Sequence, residues 1–421
     1  MSPIRAALAA AVWCACVSAP AAELSLDDAY GRVIDTHPEL EALRLSEAAR
    51  RAELDLAQQA PPRRLQASAE NLLGTGDMAA LRGAEFSVSL ASVIERGDKR
   101  AARVALADAE LQGVELLRAG KRLDLLAEVA RRYLDAAATS ALCALHREDL
   151  AQREHVAAVA AQRRSAGIEQ AAAPLAASAA RAHAAAELER CLESAAHARR
   201  RLALLWGDVD ADYALAPADL HALPALPDYA ELMRWLEDTP ELQRYAHEAR
   251  LREARLQLAR SARVADIDWQ VGVRRLQSGD DWGLIGSVAI PFGSEIRAEP
   301  GIRAADAELA AVAFEREGQT RALQATVAEA WSQLALAVRY ARRLDTEVIP
   351  AWQRAADAAE QSYRAGAISL LEWTQLQREI VDARQTRLEA ALSAQRALIE
   401  LQRLTGQRYA LATTTTHGST P

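Results

Sequence analysis

The chain has 421 residues, of which 51% are apolar, 26% charged and only 5% aromatic, a balance that excludes a disordered protein. Abundant alanine with few aromatics suits long helices packed closely through small side chains. A formal net charge of −8, with no basic stripe, argues against a nucleic-acid partner.

Residues 1–21 read as a signal peptide: Arg5, an apolar run, and Ala19 and Ala21 in an A-x-A pattern that places cleavage after Ala21. Cys14 and Cys16 leave with it, and neither has a lipid-attachment context. No later stretch is apolar and long enough for a transmembrane helix. The rest divides into two repeats, 22–225 and 226–412, followed by a low-complexity tail over 413–421, expected to be disordered. "HPELEALRLSEAARRAELDLAQ" from His37 reappears as "TPELQRYAHEARLREARLQLAR" from Thr239. Gly167 and Gly366 are separated by the same interval as Gly207 and Gly406. Between the repeats, 206–229 is rich in Pro, Asp and Ala and reads as an irregular connector.

Each repeat then shows two alternating segments. In the first, 64–73 sets Leu65, Ala67 and Ala69 against Gln66, Ser68 and Glu70, and 84–92 sets Phe86, Val88 and Leu90 against Ser87 and Ser89. In the second, 267–275 sets Ile267, Trp269, Val271 and Val273 against Asp268, Gln270 and Arg274, and 282–291 aligns Trp282, Leu284, Val288 and Ile290. Period-two alternation over roughly nine to ten residues is a half-buried strand, and it equals a tilted membrane-barrel strand in length. Surface hairpins would give the same pattern. Isolated hairpins are marginal in water, however, and these stand between unusually long helices.

From Lys99 to about Arg163 there is no proline, which predicts a helix roughly 100 Å long at ~1.5 Å per residue. A second is predicted from Pro300, placed at a first helical position, to Tyr363, with a kink at Pro350. Val327, Trp331, Leu334 and Val338 follow a coiled-coil spacing. Gly167 and Gly366 are the candidate positive-φ residues that reverse the chain into return helices over 168–205 and 367–405. Cys143 and Cys191 are equidistant in sequence from Gly167, one before and one after, at matching levels of one hairpin in an oxidising compartment. They are the candidate disulfide; the alternative is two small apolar residues facing different ways. The eight histidines show no metal-ligand spacing, and no nucleophile, phosphate-loop or dinucleotide motif occurs. No catalytic residue, metal site or cofactor is therefore expected.

A duplicated helix–hairpin–long-helix unit behind a signal peptide resembles the TolC-like outer-membrane efflux proteins. "YRAGAISLLEWTQLQREIVDAR" is similar to the family's Tyr-x-x-Gly turn, which makes Tyr363 a tip landmark. "ENLLGTG" and "ERGDKRAARVALADAE" look like the heavy-metal, CzcC-type members. Three departures stand out: Arg164 in place of tyrosine at the first turn, Asp98 in place of glycine, and no Arg-Asn-x-Gly after the last strand.

The resemblance implies a mainly α fold with a small β-barrel portion: duplicated long-helix hairpins forming an α-barrel, and four transmembrane strands per protomer in a trimeric 12-stranded barrel. It implies a homotrimer in outer-membrane lipid with its helices in the periplasm. Partners would be a periplasmic adaptor and an inner-membrane pump of the resistance-nodulation-division type. Gln66, Ser68, Glu70, Asp268, Gln270 and Arg274 would line the barrel lumen, and Trp269 and Trp282 would lie at the lipid interface. Glu372 and Glu169 would be tip carboxylates, candidates for gate or selectivity. The expected role is passive conduction of exported cargo, heavy-metal cations first. The alternatives are drug efflux, type I protein secretion, or a non-pore periplasmic coiled-coil scaffold.

Overall fold

The computed structural model describes residues 23–409, apart from residues 169 and 212 and the side chain of Asp77. The leader over 1–21, the tail over 413–421 and Glu169 lie outside the described residues. The fold is mainly helical, with a four-stranded antiparallel sheet and one very short parallel pair.

Two compact units emerge. The first holds the residues up to Val33 and Arg132–Leu220; the second holds Ile34–Arg131 and His221–Tyr409. This division does not follow the repeats, because a helix as long as Lys99–Ser165 contributes to both units.

The second unit contains the sheet: β2 (Arg64–Glu70), β3 (Glu85–Ile94), β5 (Ile267–Leu276) and β6 (Asp281–Ala289), in the order β2-β3-β5-β6. β1 (Glu23–Leu24) and β4 (Ala214–Leu215) form the parallel pair of the first unit. The strand limits differ slightly from the alternation. β2 stops at Glu70 rather than 73 because Asn71 and Leu73 both take φ of 56°, which ends the ladder. β6 stops before Pro291, whose nitrogen has no hydrogen to donate. β3 continues to Ile94 and gives way to Gly97 (φ 69°) and Asp98 (φ 58°), which turn the chain into α3 (Lys99–Ser165). A side chain at Gly97 would meet Val264 at 2.7 Å. Asp98 holds a left-handed conformation in which glycine is the default and aspartate is tolerated, so its departure from the family pattern has a backbone reason.

Short helices lead into the sheet. α1 (Leu26–Thr36) precedes α2 (Pro38–Ala57), and α5 (Tyr229–Leu236) precedes α6 (Pro240–Ser261). Pro38 and Pro240 each open their helix, where a missing N–H costs nothing. α7 (Ser294–Arg343) starts earlier than the predicted Pro300. Gly293 (φ 79°) caps it, and Pro300 sits inside the helix, leaving the Ile296 carbonyl without its regular partner on an exposed face. The helix is not simply kinked at Pro350 either. Leu344–Val348 widens into a π-helical segment, and α8 (Ile349–Arg364) resumes with Pro350 in its first turn.

α9 (Leu370–Thr405) returns along α7 and α8, starting slightly later than predicted because Ser369 caps it. Leu323, Val327, Leu334 and Val338 of α7 bury against Ala394, Ala397 and Leu401 of α9, with Leu232 and Leu236 of α5. Arg403 bonds Glu400 (2.7 Å) and Asp124 (3.1 Å), and Arg131 reaches Glu400 at 3.2 Å. Burial alone would raise the Glu400 carboxyl; the two guanidinium groups hold it below its ordinary value.

In the first unit α3 reverses into α4 (Ala172–Ala203), which also starts later than the expected 168. Alanines at 136, 160, 184, 195 and 198 are buried, the close small-residue packing that the composition suggested. The buried Tyr133 hydroxyl donates to the Leu24 carbonyl at 3.0 Å. Burial, with Asp28 and Glu23 nearby, pushes its pKa up to about 12.

Candidate functional site

The sheet has two chemically different faces. Residues opposite each other in an antiparallel ladder share a face, so the register assigns each side chain. One face carries Gln66, Ser89, Ser68, Ser87, Glu70 and Glu85, continuing into Asp268, Gln270 and Arg274. All six lumen candidates therefore fall on one side. Serines and a glutamate outside the candidate set join them: Gln270 Nε2 donates to Ser89 Oγ at 2.6 Å, and Arg274 donates to Ser87 Oγ at 3.1 Å and Glu85 Oε2 at 2.8 Å. The signal for the two serines was present in the alternation of 84–92. Ser87 and Ser89 are buried, whereas Gln66, Ser68, Glu70 and Asp268 are exposed.

The opposite face is apolar and open apart from Ser92 and Arg275, which lies over the Trp282 ring and pairs with Asp280 at the strand end. Leu65 is 77% exposed, Trp282 68%, Leu284 86% and Val288 69%, and Phe86, Val88, Val271 and Val273 join them. Trp269 and Trp282 lie on this face near opposite ends of the β5–β6 ladder. A water-soluble sheet would cover such a surface; here both chemistries are displayed at once.

The helical tips use the same backbone solution twice. At the first, Gly167 (φ 74°) follows α3, with Gly167 N–H donating to Arg164 O and Ile168 N–H to Arg163 O, both at 3.0 Å. At the second, Gly366 (φ 77°) follows α8, with Gly366 N–H donating to Tyr363 O and Ala367 N–H to Ser362 O, both at 2.9 Å. This is a Schellman closure, and it requires a positive-φ residue.

The side chains around the turns differ. Tyr363 is buried and stacks on Trp373 with centroids 5.0 Å apart, so the tyrosine landmark is a packing residue. Ser369 caps α9, and Glu372 completes the capping box: its Oε2 accepts from Ser369 N–H at 2.8 Å and Oγ–H at 2.9 Å. Those bonds hold the exposed Glu372 carboxyl below its ordinary pKa. The corresponding start of α4 has no side-chain cap. Leu175 and Leu371 are exposed apolar residues of the first turns of α4 and α9.

Further from the turns, Cys143 and Cys191 are joined as a disulfide, Sγ–Sγ 2.17 Å, packed against Ala195, Leu142 and Leu188. In the second hairpin, Arg387 donates from Nε and Nη2 to both Asp345 carboxylate oxygens (2.8 and 2.7 Å), and from Nη2 to His221 O at 2.8 Å. This pair escapes sequence reasoning, although a signal existed. Arg387 falls on the buried stripe Ile380, Ala383, Arg387, Ala390, Ala394. Among the described residues no three His, Cys, Asp or Glu side chains are grouped to hold a metal ion, and no helix is long and apolar enough to cross a membrane.

Known proteins share this plan. The sequence model for "outer membrane efflux protein" matches twice, over residues 29–208 and 232–407. The cobalt-zinc-cadmium resistance protein CzcC of Cupriavidus metallidurans is 27% identical over 317 residues, 75% of each chain. Among solved structures, a membrane protein from Pseudomonas aeruginosa superposes with a TM-score of 0.75 at 22% identity, covering 90% of this chain and 93% of that one. CusC, whose structures concern folding and transmembrane channel formation, gives 0.76 at 17% identity, covering 92% and 93%.

Proposed function

The chain belongs to the outer membrane efflux protein family, and from that premise we propose that it is the duct subunit of a tripartite exporter, assembled as a homotrimer. The observation that carries the assembly is the sheet. It has four strands, ends in β2 and β6, and is apolar on one face and polar on the other. Four strands cannot close a barrel, and open edges are not tolerated in lipid. Three copies of four strands give twelve, an even number within the range of known barrels. The apolar face then meets lipid. Gln66, Ser68, Glu70, Asp268, Gln270 and Arg274, with Ser87, Ser89 and Glu85, line the water-filled lumen.

The helical hairpins extend into the periplasm as an α-barrel, and Leu175 and Leu371 near the turns offer apolar contacts to a periplasmic adaptor. Energy comes from an inner-membrane pump of the resistance-nodulation-division type, and the duct conducts passively. The preferred cargo is a heavy-metal cation. Relatedness to a cobalt-zinc-cadmium resistance protein supports this, as does Glu372. Its depressed pKa keeps it anionic into mild acid, and three symmetry-related copies form a negative ring.

The assembly is tested by solubilising the outer-membrane fraction and measuring mass in detergent: three copies are expected, and a detergent-free monomer refutes the duct. Cargo is tested by the sensitivity of a deletion strain to cobalt, zinc, cadmium and copper salts against a drug panel. Selective drug sensitivity would favour the drug-efflux alternative, and loss of a secreted polypeptide the type I one. Glu372→Gln is expected to lower cation preference in bilayer recordings; unchanged preference removes the gate.

A further inference from the structure

The apolar face of the sheet finishes differently at its two ends. The register sets its rows. Arg63, one step beyond the Arg64–Ala91 pair, falls opposite Ser92, which faces Trp269, which faces Val288. Ser92 Oγ donates to Pro62 O at 3.4 Å, so the chain ahead of β2 still runs beside β3 at that level. The next row holds Ile94 and Ile267, in step with Ile290. The row after it holds Arg96, in step with Phe292, which is 97% exposed. The backbone N–H of Arg96 pins it there, donating to Asp266 Oδ1 at 3.1 Å. Two arginines thus rim the apolar face at the end where β3 and β6 run into α3 and α7. Arg100 and Arg297 follow in the first turns of those helices, Arg297 next to the exposed Ile296.

These four guanidinium groups have no counterion of their own. All four residues are exposed, and none of their side chains makes an ion pair or hydrogen bond among the described residues. Neighbouring carboxylates are taken by other cations: Glu95 by Arg103, Asp266 by Lys99 and Glu299 by Arg263. That leaves Asp98 and Glu295 against four arginines. At the far end of the same face the balance reverses. Arg275 lies over the Trp282 ring and is neutralised by Asp280, and Asp281 adds a further carboxylate.

An arginine at the rim of a lipid-facing surface lays its methylenes on apolar groups and holds its charge in the headgroup layer. Its planar fork of donors matches the oxygens of a phosphate. With the helices in the periplasm, this rim lies in the periplasmic leaflet, whose lipids are phospholipids. A headgroup with a phosphate and no ammonium of its own gives such cations the strongest attraction.

We propose that Arg63 and Arg96, supported by Arg100 and Arg297, form a binding rim for anionic phospholipid headgroups of the phosphatidylglycerol class. The rim repeats with every subunit of the ring and fixes the depth at which the duct sits in the membrane. This rests on the duct reading.

The test is native mass spectrometry of the full-length assembly in detergent, titrated with phosphatidylglycerol or with phosphatidylcholine of the same acyl chains. Wild type should retain phosphatidylglycerol about tenfold more strongly. Arg63→Gln with Arg96→Gln should weaken that retention about tenfold or more, at roughly fivefold for each cation removed near an anionic surface. Neither side chain has an internal partner to lose, so assembly should survive. Arg82→Gln, in the loop at the far end, should stay within about twofold of wild type. Equal retention of both lipids by wild type overturns the rim, as does a double variant that retains phosphatidylglycerol like wild type. An equal loss in Arg82→Gln also overturns it, because total charge would then decide. If the double variant does not assemble, salt decides on wild type. Raising ammonium acetate from about 0.1 M to about 1 M cuts the screening length from ~10 to ~3 Å. Phosphatidylglycerol retention should then fall toward that of phosphatidylcholine, and unchanged retention overturns the proposal. A trimer without lipid preference leaves the duct standing and removes the rim alone. A monomer that needs no detergent refutes the duct, and the rim with it.

Discussion

The first and second repeats carry the same backbone plan with different side-chain fastenings. Both turn on a left-handed glycine, and both end their return helix on another, Gly207 at 80° and Gly406 at 72°. Yet the second repeat stacks Tyr363 on Trp373 where the offset places Arg164 and Pro174 in the first, and caps α9 with Ser369 where the first has Gln170. The first has a disulfide; the second has an ion pair. Backbone geometry is the part of a duplicated plan that cannot vary freely, whereas packing, caps and cross-links can be exchanged for one another.

The contrast between the repeats can be broken at several points, measured as unfolding midpoints of purified protein in detergent. Trp373→Ala removes a fully buried indole and its stack, and should cost about 3–5 kcal/mol; Pro174→Ala should change little, and equal losses would mean the two tips are fastened alike. Replacing both cysteines with serine should cost roughly 2–4 kcal/mol through the opened loop, and the missing protection against hydrogen exchange should concentrate in α3 and α4. Gly167→Ala and Gly366→Ala should each cost about 1–2 kcal/mol, equally, because each puts a Cβ into a left-handed residue. Ser369→Ala should cost about 1 kcal/mol, and Gln170→Ala almost nothing.

The smallest effect concerns pH. His247 of α6 is buried against Gly113 of α3, and counting from the paired prolines its counterpart is the exposed Leu45. Burial first, then Arg250, holds its pKa below the ordinary value. The unfolded chain therefore binds a proton more readily. The stability His247 confers is present above pH ~6.5 and falls as pH drops through its folded value. His247→Leu should flatten that acid slope; an unaltered slope would place the effect elsewhere.

Much of this architecture was legible in residue patterns because the patterns are local. Alternation marked all four strands of the β2-β3-β5-β6 sheet and put six polar residues on one face, whereas the two-residue strands β1 and β4 are too short to show a period. The glycine echoes marked both turns, and equal spacing from Gly167 brought Cys143 to Cys191. What escaped was set by competition. Pro300 lies inside α7 because the left-handed Gly293 already starts the helix at Ser294, before the proline is reached. The π-helical segment has no composition of its own; it arises where Pro350 meets a helix that packing against α9 keeps running. Arg387 was hidden because a charged residue on an apolar stripe reads as an error until its partners from Asp345 and the connector are in place.

The strand order carries one last implication. β2 belongs to the first repeat and β6 to the second, so the two ends of the sheet are unlike. Any seam between neighbouring subunits in the proposed ring must be head-to-tail, and a row of subunits one short of completion still presents both raw ends to the bilayer. A pair of subunits covers two of its four edges and leaves the other two bare. A cell making too few sound copies would be left with material for its proteases rather than with smaller ducts, and a faulty copy able to pair through one end only would spoil its sound neighbours.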